Sequence, residues 1–125
     1  MEKPTQELID ECYSPGTAED RLLAFLSDPR SLVRANAMVA LGSRKLVDEF
    51  RVANGLLQAA FAVPAGARPI LGTMTEQMMV GYALHGINTA ESRRVLKQVE
   101  ALLTSKEIED LHWNITHNPI LQFVK

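Results

Sequence analysis

The chain has 125 residues, 46% of them apolar and 22% charged, with a formal net charge of −2. This composition supports a core of its own within a single domain over residues 1–125 and leaves no length for a second. No apolar run reaches the ~20 residues that a bilayer-spanning helix needs, and Glu2-Lys3-Pro4-Thr5 lacks the basic-then-apolar order of an export signal, so a soluble cytoplasmic protein with no membrane partner is expected.

Helical spacing of apolar residues recurs along the chain. Thr5 is placed to cap a first helix through Tyr13, which Ser14-Pro15-Gly16 stops. Thr17, with Asp20 three residues on, predicts the start of a second helix whose Ala18, Leu22, Phe25 and Leu26 share one face. Asp28 is expected to cap a third helix with Pro29 in its first position, where a missing amide hydrogen is harmless. Its stripe is Val33, Ala37, Ala40 and Leu41, and Gly42 is the expected stop. A fourth helix over 46–63 has Phe50, Ala53, Leu57 and Phe61 at one face, widened by Val52, Leu56 and Ala59, and is expected to be central. Pro64 to Pro69 forms a loop, with Ile70 and Leu71 tucking back onto the core. Thr73 and Glu76 predict the opening of a fifth helix, running through Met78, Met79, Tyr82, Ala83 and Leu84 to Gly86. Thr89 caps a sixth with Val95, Leu96, Val99, Leu102 and Leu103 inward. After Thr104-Ser105, a seventh sets Ile108, Leu111, His112 and Ile115 on one side and ends before Asn118-Pro119. The apolar tail, Ile120, Leu121, Phe123 and Val124, is expected to cover the end of the assembly.

A shift of 43 residues superposes Ala40-Leu41 on Ala83-Leu84, Ala37 on Val80, Val52 on Val95 and Arg51 on Arg94, a period suited to two-helix units. Three hairpins follow, over 17–42, 46–86 and 90–116, each needing a neighbour to bury its apolar face. Leu26 to Gly42, LSDPRSLVRANAMVALG, resembles a HEAT repeat, particularly the short bacterial type of phycobilin lyase subunits. The resemblance implies an all-α fold, a short α-solenoid of about three HEAT-like hairpins with six to seven helices. It also implies ladders built from a turn aspartate and a helix arginine, here Asp28 and Arg34. The positions 43 residues on are Leu71 and Gln77, so a compact three-unit block is expected in place of a long regular solenoid.

No chemical constellation accompanies this architecture, and no catalytic, cofactor-binding or metal-ligating residue is assigned. His85, His112 and His117 are followed by Gly86, Trp113 and Asn118, so the His-Glu pairs of HEAT-like metal hydroxylases are missing. His112 and His117 are five apart, which splays their rings around a helix, and His112 is read as a structural histidine beside a packed Trp113. Cys12 lies between acidic neighbours that disfavour a thiolate, and Met74, Met78 and Met79 read as core filler.

Charge is uneven: residues 1–28 carry seven acids and two bases, and residues 29–68 two acids and six bases. That middle excess suits an acidic partner protein but is smaller than dedicated nucleic-acid binders show. The leading expectation is therefore a non-enzymatic protein-protein interaction module, a scaffold or adaptor, that uses a helical face. Arg30, Arg34, Met38, Gln77, Tyr82 and His85 on the second helices of the hairpins, with Arg68 in the loop, form the candidate surface. The resemblance also implies rival readings: a bilin lyase-like subunit holding a tetrapyrrole, or a DNA-repair-like enzyme with a basic groove. A small inhibitor or immunity protein using the acidic first segment is a further alternative.

Overall fold

A computed structural model of the chain describes residues 4–64, 67–70 and 73–117. Seven helices fill them: α1 (Thr5–Cys12), α2 (Glu19–Phe25), α3 (Ser31–Ser43), α4 (Glu49–Ala62), α5 (Glu76–Ile87), α6 (Ala90–Glu100) and α7 (Ser105–His117). The described residues are all-helical. The expectations for Leu71 and for the apolar tail after His117 fall outside them.

The helix ends reveal which local interactions prevail. Thr17 does not cap α2: its hydroxyl donates to the Glu11 carbonyl at 2.6 Å, closing the α1–α2 turn, and α2 starts from Ala18 without a side-chain cap. Glu19, in the first turn of α2, instead accepts from the backbone amides of Val47 and Asp48 at 2.8 and 3.0 Å, fastening the α3–α4 loop to this end. Pro29 stays in the turn and α3 begins at Ser31, because the Asp28 carboxylate accepts from the Arg30 amide two residues on, at 2.9 Å, in a local turn that competes with helix. Gly42 does not stop α3, which runs on to Ser43. Asp48 caps α4 through the Arg51 amide. Thr75, not Thr73, caps α5 through the Met78 amide, and α5 runs past Gly86 to end at Asn88, whose left-handed backbone (φ 53°) an asparagine tolerates. Thr89 caps α6 as expected, with Ser92 reciprocating. Thr104 and Glu107 form the same reciprocal pair at the start of α7.

One apolar cluster draws residues from every helix, including Leu8 and Cys12 of α1, Leu22 and Phe25 of α2, Val95 and Val99 of α6, and Leu111 of α7. The odd-numbered helices pack in succession, α1 on α3, α3 on α5 and α5 on α7, while α2 lies on α3, α4 on α5 and α6 on both α4 and α5. The central elements are therefore α3 and α5, which correct the expectation placed on α4. Sequence explains it: from Ala35 to Gly42 and from Met78 to Leu84 every residue is buried, and the small ones let neighbours approach on all sides.

Several expected positions are reversed by this arrangement, Ala18 and Leu102 among them, which are exposed and not inward. Phe50 and Phe61, expected inward, are 63% and 57% exposed, because α4 buries only the narrow arc of Val52, Ala53, Leu56 and Ala60. On α7 the buried positions are Leu111 and Asn114, while His112 points out to Glu100 at 2.9 Å. Trp113 is 55% exposed and stacks on His117, with ring centroids 4.3 Å apart. Met74, Met78 and Met79 are fully buried, as core filler should be. Positions related by 43 residues behave alike: Ala37 and Val80, Leu41 and Leu84, and Val52 and Val95 are all buried.

Candidate functional site

Between α2 and α4 the packing opens into a cleft of ≈ 840 Å³. Its rim is the last turn of α2 (Leu23, Leu26) with Ser27, Asp28 and Pro29; its other wall is the flank of α4 from Arg51 through Asn54, Gly55, Gln58 and Ala59 to Ala62, Val63 and Pro64. Leu23 and Gly55 come together across it, where a β-carbon built on Gly55 would lie 2.8 Å from Leu23 Cδ2. The absent side chain at Gly55 is what permits this approach.

Arg34 and Glu76 close the cleft from inside. Arg34 Nε donates to Glu76 Oε2 at 2.8 Å and Nη2 to Oε1 at 2.6 Å, a bidentate pair that joins α3 to the first turn of α5. Nη1 donates to the Asp28 carbonyl at 2.7 Å, so one guanidinium ties the end of the first hairpin's turn to the start of α5. The bonds to Glu76 hold the Arg34 guanidinium even above its usual range. Gln77, 43 residues after Arg34, donates in the same sense to the Ala60 carbonyl at the end of α4, at 3.1 Å.

The other charges at the cleft are paired as well. Arg30 grips Asp28 through Nε and Nη2 at 2.9 and 3.0 Å, and these bonds, more than the neighbouring charge, hold the Asp28 carboxyl below its usual range despite partial burial. Arg51 pairs with Asp20 across the mouth. By contrast, Asn54 and Gln58, exposed and one turn apart on α4, make no side-chain hydrogen bond among the described residues.

Next to the cleft-lining face of α4 but outside the lining, Phe50 and Phe61 stand about 16 Å apart, three turns along the axis and nearly in line, since eleven residues at 100° return to the same face. Val47, just before the helix, is 94% exposed. Exposed aromatic side chains aligned on one helix face are unusual on a solvated surface.

The residues assigned to the partner surface separate. Arg34 lines the cleft and is paired with Glu76, while Arg30, outside the lining, is paired with Asp28; Gln77 is half-buried and bonded to α4; Arg68 and His85 are exposed. Met38 and Tyr82 are corrected: both are buried, so neither reaches a partner from where it lies, and burial alone raises the Tyr82 hydroxyl above its usual range. They sit in the stretches Ala35–Gly42 of α3 and Met78–Leu84 of α5, where every residue is buried. What the sequence reading missed is α4, and the signal was present: Arg51, Asn54 and Gln58, three polar residues at helical spacing, mark its outer face and place Phe50 and Phe61 beside it.

Elsewhere, a second hollow of ≈ 330 Å³ is lined by Cys12, Tyr13, Ala40 and Arg44. Burial pushes the Cys12 thiol up to about 12, and the Tyr13 hydroxyl donates to Asn36 Oδ1 at 2.8 Å. No three His, Cys, Asp or Glu side chains among the described residues gather as metal ligands do. No helix among them is long and apolar enough to cross a membrane. Comparison with protein-family models, with curated proteins and with solved structures finds no match to this chain.

Proposed function

We propose that the chain is a short α-solenoid of three stacked hairpins, HEAT-like in its first unit, that serves as a non-enzymatic module for holding another protein. The successive packing of odd-numbered helices, with α4 and α6 beside one another, supports the stacking. The observation that carries the binding role is the outer face of α4, where Phe50 and Phe61 expose most of their rings in line and Val47 extends the stripe. Aromatic side chains dominate the energetics of protein interfaces, and a rigid helix presents them at fixed spacing. The charge-balanced cleft beside them favours a protein partner over a phosphate-bearing one, because every cation named at the cleft is already held by an acid.

Affinity capture from the native source with the wild-type chain and with Phe50→Ser/Phe61→Ser tests this. The double variant removes only exposed apolar surface and should keep the wild-type circular dichroism and melting curve. A protein captured by the wild type and lost with the variant is the expected result. Equal recovery of every captured protein by both chains would refute the assignment.

A further inference from the structure

The cleft between α2 and α4 has a ligand class of its own, and the features that define it are separate from the aromatic stripe. Its walls offer three kinds of surface. Apolar atoms come from Leu23, Leu26, Ala59, Ala62 and Val63. Charged groups are present but occupied: Arg34 spends its bonds on Glu76 and the Asp28 carbonyl, Asp28 is held by Arg30, and Arg51 is held by Asp20. The four charged residues of the lining, Asp28, Glu76, Arg34 and Arg51, cancel in sign. An ionic ligand would compete with these pairs, of which only the exposed Arg51–Asp20 pair is weakly held. The uncharged side-chain hydrogen-bonding groups left available are the amides of Asn54 and Gln58 on α4, with the Ser27 hydroxyl across the cleft.

Their spacing identifies what they match. Four residues of helix separate the two amides by about 6 Å along the axis. An extended peptide repeats its same-side backbone groups every two residues, at about 6.6 Å. A carboxamide carries a donor and an acceptor, as a peptide group does, and can meet both. Two carboxamides at this interval therefore fit alternate peptide units of one extended strand, and the apolar atoms flanking them fit the side chains between. From Arg51 to Ala62 the wall runs about 16 Å, the length of about five extended residues.

The geometry points to this cleft as a docking groove for an extended, uncharged segment of about five residues of a partner protein, read through its backbone by Asn54 and Gln58. This rests on the reading of the chain as a protein-binding module and adds a second point of engagement on the adjoining face of the same helix, whose lining includes neither Phe50 nor Phe61. Leu23, half-buried, is a movable side chain over Gly55 and is positioned to yield when the groove is filled.

A displayed library of random heptapeptides, panned against the full chain, supplies the probe, and synthetic copies of the enriched peptides are then titrated by fluorescence polarisation. The expected result is an enriched set with no net charge and apolar residues at alternate positions. Asn54→Ala/Gln58→Ala should weaken its binding about tenfold or more, as loss of two backbone hydrogen bonds implies. Methylating the peptide nitrogens in turn should weaken it at alternate positions only. Phe50→Ser/Phe61→Ser should bind these peptides as the wild type does, whatever it does to the captured protein. Three results would overturn the groove: no enrichment, equal binding by Asn54→Ala/Gln58→Ala in a chain that melts normally, or enrichment of acidic peptides displaced by salt or by duplex DNA. A captured protein that is lost with Phe50→Ser/Phe61→Ser while no peptide is enriched would leave the aromatic stripe standing and remove the groove.

Discussion

Two glycines in helix interiors offer a test of how tightly the helices are packed, because the same substitution should act in opposite directions at the two. Replacing a mid-helix glycine by alanine gains up to about 1 kcal/mol from backbone entropy and helix propensity. At Gly81 in α5 the new methyl carbon would lie 2.9 Å from Leu111 Cδ2 and 3.4 Å from Leu96 Cδ1. Leu111 is fully buried and has nowhere to turn, so α7 must shift, and overpacking of this kind costs about 1–3 kcal/mol. A net loss of about 1 kcal/mol is expected for Gly81→Ala. At Gly55 in α4 the clash is closer on paper, 2.8 Å from Leu23 Cδ2, but that atom is the end of a half-buried side chain at the edge of an open cleft. It can swing aside, so Gly55→Ala should be stabilised by about 0.5 kcal/mol, most of the propensity gain being kept. Urea unfolding read as a midpoint shift at constant slope measures both. For a domain of this size 1 kcal/mol corresponds to about 3–5 °C in melting temperature, which makes the contrast easy to resolve. A Gly81→Ala chain as stable as the wild type, or a Gly55→Ala chain the less stable of the two, would mean that the α5–α7 contact is looser, or the α2–α4 contact tighter, than the packing described above.

Other consequences follow from named contacts. In a double-mutant cycle Arg34→Ala and Glu76→Gln should be coupled by more than about 1 kcal/mol, because the pair is bidentate and largely shielded; additive effects would place it among inconsequential surface pairs. Asp28 is held below its usual carboxyl range, so its contribution to stability is present above the unfolded value of about 3.9 and is lost as pH falls through the lower folded value. Asp28→Asn should therefore flatten the acid limb of the stability profile, and an unchanged limb would contradict that. With its thiol pushed up to about 12 and buried, Cys12 should resist a thiol reagent at pH 8 until the chain unfolds; rapid labelling of the native chain would show that α1 is not held against α3. Trp113, the only tryptophan, should emit at a solvent-exposed wavelength and be quenched by acrylamide in the folded state, where shielded emission would place it in the core after all.

The helices were legible in the sequence because each carries strong local signals, while their ends and faces were decided by neighbours. Thr89 with Ser92 is a self-contained cap and was read correctly. Thr17 looks equally good in sequence, yet its hydroxyl closes a turn to Glu11, an option that only the fold of α1 against α2 creates. In α4 two apolar stripes overlap, and volume argued for the one with phenylalanines. Close approach by α5 and α6 selected the narrower one built on Ala53 and Ala60. Met38 and Tyr82 were assigned to the surface because they fall on the second helices of the hairpins, but every residue of Ala35–Gly42 and Met78–Leu84 is buried and leaves no outward position there. The Arg34–Glu76 pair spans 42 residues and lies beyond local reading. The polar run Arg51, Asn54, Gln58, by contrast, was available in the sequence and names the face that the structure exposes.

Hydroxyl-radical footprinting of the chain, alone and with the protein it captures, tests the central claim most directly, because it reads side-chain exposure residue by residue. Phe50, Phe61 and Trp113 should all be oxidised readily in the free chain, while Leu56 and Leu84 stay protected. On binding, Phe50 and Phe61 should become protected while Trp113 on α7 remains as reactive as before. Protection at Trp113 with Phe50 and Phe61 unchanged would contradict α4 as the binding face.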